Sequence, residues 1–164
     1  MLDAVPRPDF RIGAPDFARL AGMTGLDIMR GVVSGELPGP SIAETMNFWL
    51  VSADEGTVEF RGEPDGRHMN PLGLVHGGWA MTLLDSVLGC AVHTTCATGE
   101  GFVSMDTAVK FVRPLMPGMG QLRAVATVQT RGRRVANVEG RVEDLGGKVL
   151  ALGTSTCFIQ PLGG

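Results

Sequence analysis

The chain has 164 residues, with 44% hydrophobic and 19% charged side chains and a formal net charge of −3. That composition fits a single globular domain with a sizeable core rather than a disordered segment. The acidic balance argues against a general nucleic-acid binder, so any anion site must be a local concentration of arginine.

The opening MLDAVPRPDFRIGAPDF has no apolar core of a signal peptide, and no apolar run approaches the ~18 residues of a membrane span. A cytoplasmic location and no membrane partner are the expectation. Residues 1–15 read as a mobile N-terminal arm, and 16–164 as one domain. Residues 16–34, DFARLAGMTGLDIMRGVVS, carry apolar positions near helical spacing, weakened at Gly22 and Gly25. Two short helices would satisfy that pattern, and GELPGPS ends it.

Residues 46–53 and 56–61 read as two strands joined by a DEG turn. A turn-rich stretch, 62–72, leads into a long helix at about 76–96. There the apolar pairs Trp79/Ala80, Leu83/Leu84, Val87/Leu88 and Ala91/Val92 form a stripe broad enough to pack on a sheet. Residues 102–112 alternate, with Val103, Met105, Thr107, Val109 and Phe111 assigned to one face. Residues 120–130, 134–143 and 149–159 supply three more strands, the last two joined by DLGGK. Strand hairpins with one dominant helix predict an α+β fold, an antiparallel sheet wrapped around that helix.

The chemistry concentrates in NPLGLVHGGWAMTLLD, residues 70–85. His-Gly-Gly sits where the first helical N–H groups lack acceptors, so they and the helix dipole favour a negative oxygen. Gly77 could hold an oxyanion there, or Gly77 and Gly78 could merely make a tight turn. Asp85 stands among apolar neighbours. It is either a carboxylate bonded to a hydroxyl or tipped to solvent, or a general base or nucleophile. Eight residues separate Gly77 from Asp85, about 12 Å along a helix. One carbonyl cannot touch both on the same helix. If both act on one substrate, the Asp comes from a second copy, and an isologous dimer makes two such sites.

The NPLGLVHGGWAMTLLD stretch resembles the signature of the PaaI-like hotdog-fold acyl-CoA thioesterases, related to the 4-hydroxybenzoyl-CoA thioesterases. Asn70, Gly73, His76, Gly77, Gly78 and Asp85 fit the family pattern, and the likeness extends over roughly residues 25–160. It implies a hotdog fold and hydrolysis of an acyl-CoA to a carboxylic acid and coenzyme A. Gly77 would donate its N–H to the thioester oxygen, and Asp85 of the other subunit would attack carbon or activate water. Asn70 would position water or the thioester, and His76 would support the oxyanion end or fix the loop. Ser104 matches a serine that holds water beside the acid; read alone it is an inward strand hydroxyl. The family also implies a homodimer as the unit of activity, and often a homotetramer.

His76 also reads as a simple brace of its turn, His68 as a surface loop residue, and His93 as a cation suited to the helix C-terminus. RGRR at 131–134 is either a solvated hairpin or a phosphate site. On the second reading Arg131, Arg133 and Arg134 act as a group on coenzyme A. Gly78 and Trp79 complete the expected substrate contacts, with Met46, Phe48, Trp49 and Met81 as further liners of an acyl pocket. Cys90, Cys96 and Cys157 are odd in number without a CxxC pair, so no disulfide framework is expected. No metal site and no cofactor are expected either; coenzyme A is part of the substrate. The alternatives are a hotdog hydratase or dehydratase, whose motifs are not evident, and a non-catalytic acyl-CoA binder.

Overall fold

The apolar pairs decide the centre of the molecule. A computed structural model describes residues 2–9, 11–14 and 16–162. In it the helix α4 (Gly77–His93) presents Trp79, Ala80, Leu83, Leu84, Val87, Leu88, Ala91 and Val92 to the core, none more than 2% exposed. Pairs recurring every four residues make one continuous stripe, and a curved sheet closes over it.

Six strands form that sheet: β1 (Phe48–Asp54), β2 (Thr57–Gly62), β3 (Glu100–Phe111), β4 (Leu122–Arg131), β5 (Val135–Asp144) and β6 (Val149–Pro161). Their order is β1-β2-β4-β5-β6-β3, and every neighbouring pair is antiparallel. β1 and β3 are therefore the two edges, while α4 packs against β2 through β6.

β3 departs from the simple alternation expected of it. Its register with β6 runs Ser104↔Cys157, then Asp106↔Thr156 and Thr107↔Ser155, leaving Met105 as the extra residue of a β-bulge. A bulge shifts the parity of everything beyond it. Ser104 and Thr107 thus lie opposite the buried Cys157 and Ser155, on the face turned toward α4. Val103, Met105 and Thr107 do not share one face.

The N-terminal helical stretch splits as its glycines foretell, into α1 (Phe17–Leu20) and α2 (Gly25–Val33), with Thr24 capping α2. α2 buries Ile28 and Met29 against β1 and α4. Gly25 is the point of closest approach. Its N–H donates to the Cys96 carbonyl at 3.0 Å, and a β-carbon there would lie 1.8 Å from the His93 carbonyl oxygen. A further short helix, α3 (Ser41–Thr45), follows where the prolines suggested only a stop.

The N-terminal arm crosses the sheet. Leu2 N–H donates to Leu145 O, Val5 and Gln121 exchange two hydrogen bonds of 2.8 Å, and Arg61 donates to Asp3 O. Ile12 bridges Gly39 in parallel. Of the residues assigned to the arm, Met1, Phe10 and Pro15 lie outside the described residues. No helix among the described residues is long and apolar enough to cross a membrane.

Candidate active site

The segment before α4 is built by Asn70. Its Oδ1 accepts from Leu72 N–H at 2.9 Å and Leu74 N–H at 3.1 Å, closing the turn that carries the chain into the helix. That leaves the amide Nδ2 as the side chain's remaining polar group, and Asn70 lines a groove with Gly77, Phe111, Arg113 and Leu115. The groove has a volume of about 300 Å³.

His76 is the N-cap of α4. Its Nδ1 accepts from Gly78 N–H at 2.8 Å, which makes Nε2 the protonated nitrogen of the neutral ring. Trp79 N–H donates to the His76 carbonyl. The Gly77 N–H has no acceptor among the described residues. Two of the first donors of α4 are thus satisfied internally, and the one at its tip remains open. A side chain at either glycine would press on a neighbouring ring. A β-carbon at Gly78 would meet His76 Nδ1 at 2.8 Å, and one at Gly77 would meet the Phe111 ring at 2.9 Å.

Asp85 lies two helical turns on, exposed yet lining a second cavity. Thr107 Oγ1 donates to Asp85 Oδ1 at 2.8 Å. Ser104 lines the same cavity, which has a volume of about 220 Å³. Its wall is otherwise mostly apolar: Met29 and Val32 from α2, Ala43 from α3, Phe48, Trp49 and Leu50 from β1, and Phe60 and Phe102. Cys90 shares this wall, and burial, reinforced by the Asp85 charge, pushes its thiol up to about 12. It stays a neutral thiol.

The structure therefore sorts the expected site residues into two groups. Asn70, His76, Gly77 and Gly78 gather at the start of α4; Asp85 and Ser104 meet at the apolar cavity. No single copy brings Gly77 and Asp85 to one carbonyl. Thr107 joins the second group unanticipated, because alternation without the bulge assigned it to the face opposite Ser104.

Other expectations are corrected. Trp79 does not face a substrate: it is 2% exposed, and its Nε1 donates to the Met46 carbonyl at 2.7 Å. Met81 is exposed on the uncovered face of α4 and, like Met46, lies outside the cavity wall; Phe48 and Trp49 are in it. Arg131 is separated from its neighbours. Its guanidinium is held by Glu100 at 2.9 Å and by Thr95 Oγ1 at 3.2 Å, which ties the end of β4 to the start of β3 and to the loop after α4. Arg133 and Arg134 line a different groove, about 430 Å³, with Arg134 stacked 4.9 Å from the Phe158 ring centre.

His68 is no surface residue. It is buried, accepts from Asp65 N–H at Nδ1 and donates from Nε2 to Thr45 O, while its own carbonyl accepts from His76 N–H. It thus locks the loop that delivers His76. His93 is not a cation suited to the helix end; burial lowers its pKa and favours the neutral ring. No group of three or more His, Cys, Asp or Glu among the described residues could hold a metal ion.

Comparison with known proteins places this arrangement in a family. The thioesterase superfamily pattern matches residues 72–151. No curated protein sequence matches the chain. Among solved structures, a phenylacetic acid degradation-related protein of Ralstonia eutropha JMP134 is 31% identical with a TM-score of 0.72; the match covers 79% of this chain and 98% of that one. A variant of the phenylacetic acid degradation protein PaaI of Thermus thermophilus is 27% identical, TM-score 0.65, over 72% and 97% of the two chains. The smu.793 protein of Streptococcus mutans UA159, solved bound to acetyl CoA, is 25% identical, TM-score 0.64, over 70% and 90%. The chain belongs to the thioesterase superfamily and, within it, to the PaaI-like proteins of hotdog fold.

Proposed function

We propose that the protein hydrolyses an acyl-CoA thioester to a carboxylic acid and coenzyme A, in a reaction centre shared by two copies of the chain. The observation that carries this reading is the division of α4: an open Gly77 N–H at its tip and a hydroxyl-bonded Asp85 at an apolar cavity, about 12 Å apart along the helix axis. Two such helices, antiparallel about a two-fold axis, would set the amide of one against the carboxylate of the other.

In that arrangement the acyl chain occupies the apolar cavity and its thioester lies at the open end beside Asp85. The carbonyl oxygen accepts from Gly77 N–H of the second copy, with Asn70 Nδ2 of that copy as a further donor toward water or the thioester. Asp85 takes a proton from water as the oxygen of that water bonds to the carbonyl carbon, and the negative charge moves to the carbonyl oxygen at the helix tip. Collapse breaks the carbon–sulfur bond. The thiolate leaves as coenzyme A and recovers the proton from Asp85. Direct attack by Asp85, with water cleaving the resulting anhydride, uses the same groups. Ser104, beside Asp85, would hold the water. The binding of acetyl CoA by the Streptococcus mutans relative supports the choice of substrate class. Arg133 and Arg134 would pair with the phosphates of coenzyme A.

Steady-state hydrolysis of a panel of aromatic and medium-chain acyl-CoAs, followed by free thiol, tests the reading. Turnover in the wild type, with a loss of about 10²-fold or more in Asp85→Asn, is the expected result. Unchanged turnover in that variant would remove the carboxylate from the mechanism.

A further inference from the structure

The cavity at Asp85 has a measurable extent along α4. The helix lends it Asp85, Ser86, Gly89 and Cys90, a little over one turn of a single face, and no residue further on. Strand β3 passes that face in the opposite direction: Thr107 meets Asp85, and Phe102 meets Gly89. Phe102 and Ser104 both line the cavity. They stand two residues apart on β3, before the bulge, so their side chains leave the strand on the same side.

The Phe102 ring is what stops the cavity. It rests on the bare backbone of Gly89, where a β-carbon would lie 2.8 Å from it. The same ring lies against the His93 imidazole, with centres 5.5 Å apart and planes tilted by 49°. His93 follows Gly89 on that face of the helix, one turn on, yet it does not line the cavity. Phe102 therefore stands between the cavity and the last turn of α4. At the other end Asp85 and Ser104 are exposed, where the thioester would sit. Between the two ends the Ser86 hydroxyl donates back to the Thr82 carbonyl at 2.9 Å, and Met29, Val32, Leu50 and Phe60 carry no polar side-chain atom.

We infer that Phe102 determines acyl length: its ring is the end wall at which a hydrocarbon tail stops when the thioester is at Asp85. This rests on the thioesterase reading above and narrows it to apolar acyl groups of medium length. A dry cavity of about 150 Å³ holds benzene, so in proportion this cavity holds a tail of about nine carbons. Interiors are close-packed, and a longer tail must displace the ring or leave its last carbons outside. Gly89 takes part as the seat of the ring, since a side chain there would push Phe102 off the helix.

The test uses a series of non-hydrolysable, straight-chain thioether analogues of acyl-CoA, from butanoyl to hexadecanoyl. Calorimetric Kd values are measured for the wild type, Phe102→Leu and Phe102→Trp, and the corresponding thioesters are assayed for turnover. In the wild type Kd is expected to fall about fourfold per added methylene up to a break near nonanoyl, and to fall no further beyond it. The break should move about two carbons longer in Phe102→Leu and about two shorter in Phe102→Trp. Reading the position of the break, rather than the affinity, cancels any general loss of packing in a variant. Wild-type affinity that climbs to hexadecanoyl without a break would overturn the inference, as would a break unmoved in both variants. Because these readouts are binding constants, they stand apart from hydrolysis. Absence of turnover with every thioester, alongside a break that moves, removes the enzymatic reading and keeps the end wall; turnover with a fixed break removes only the assignment of Phe102.

Discussion

Thr107 Oγ1 donates a 2.8 Å hydrogen bond to Asp85 Oδ1, joining the bulged edge strand to the exposed face of the central helix. The bond holds one carboxylate oxygen and leaves Oδ2 for chemistry. Without that bond the carboxylate is free to turn away from the substrate, so Thr107→Val is expected to lower kcat about tenfold with KM unchanged. Thr107→Ser should restore kcat. An unchanged kcat in the valine variant would show that the hydroxyl has no hold on the acid.

His76 acts on the helix through its ring nitrogen. Loss of an N-cap costs about 1 kcal/mol, which is a fall in Tm of roughly 2–4 °C for a domain of this size. His76→Ala should show that fall, and His76→Asn should recover it. If the asparagine variant is as stable as wild type yet inactive, the ring has a role at the substrate beyond capping.

The Phe111 ring lies against the α-carbon of Gly77. Gly77→Ala forces the ring or the helix tip to shift, and the open amide shifts with it. A drop in kcat of about 10²-fold is expected, the scale of losing one oxyanion donor. Gly77→Ala combined with Phe111→Ala should regain part of the lost Tm, measured by differential scanning fluorimetry.

The arginines of RGRR should separate by assay. Arg131→Ala breaks the tie to Glu100 and Thr95 and is expected to lower Tm, with KM little changed. Replacing Arg133 and Arg134 together should raise KM for acyl-CoA and leave KM for a short acyl thioester lacking the nucleotide untouched. Equal KM effects on both substrates would exclude phosphate recognition.

His93 makes stability depend on pH. Its pKa is lowered in the folded chain by burial, so the unfolded chain binds its proton more readily. Stability is full above the unfolded value of about 6.5 and is lost as pH falls below it. Tm should decline as the pH falls through and below about 6.5, and less steeply in His93→Gln.

Much of this was legible from residue order. The pairs from Trp79 to Val92 repeat at the helical period, so the buried face of α4 follows from spacing alone. The same stripe contained the reason Trp79 could not also serve the substrate: a side chain on the core face is buried under the sheet, outside both the groove at the helix tip and the cavity at Asp85. Thr107 was hidden because a bulge is visible only against the partner strand, where two residues face one. The Glu100–Arg131 pair spans 31 residues and depends on the start of β3 meeting the end of β4, which local pattern cannot foresee. His68 read as a surface residue because its neighbours are polar; its partners, Thr45 O and Asp65 N–H, come from the fold.

The approach of Gly25 to the end of α4 bears on how such a protein could acquire new substrates. Backbone touches backbone there, so the perch of α2 depends on one residue having no side chain. Met29 and Val32, a turn or two along, are then free to be exchanged without moving the perch. The ceiling over the acyl group could be retailored side chain by side chain while Asp85 and Thr107 kept their places, which separates the evolution of preference from that of reactivity.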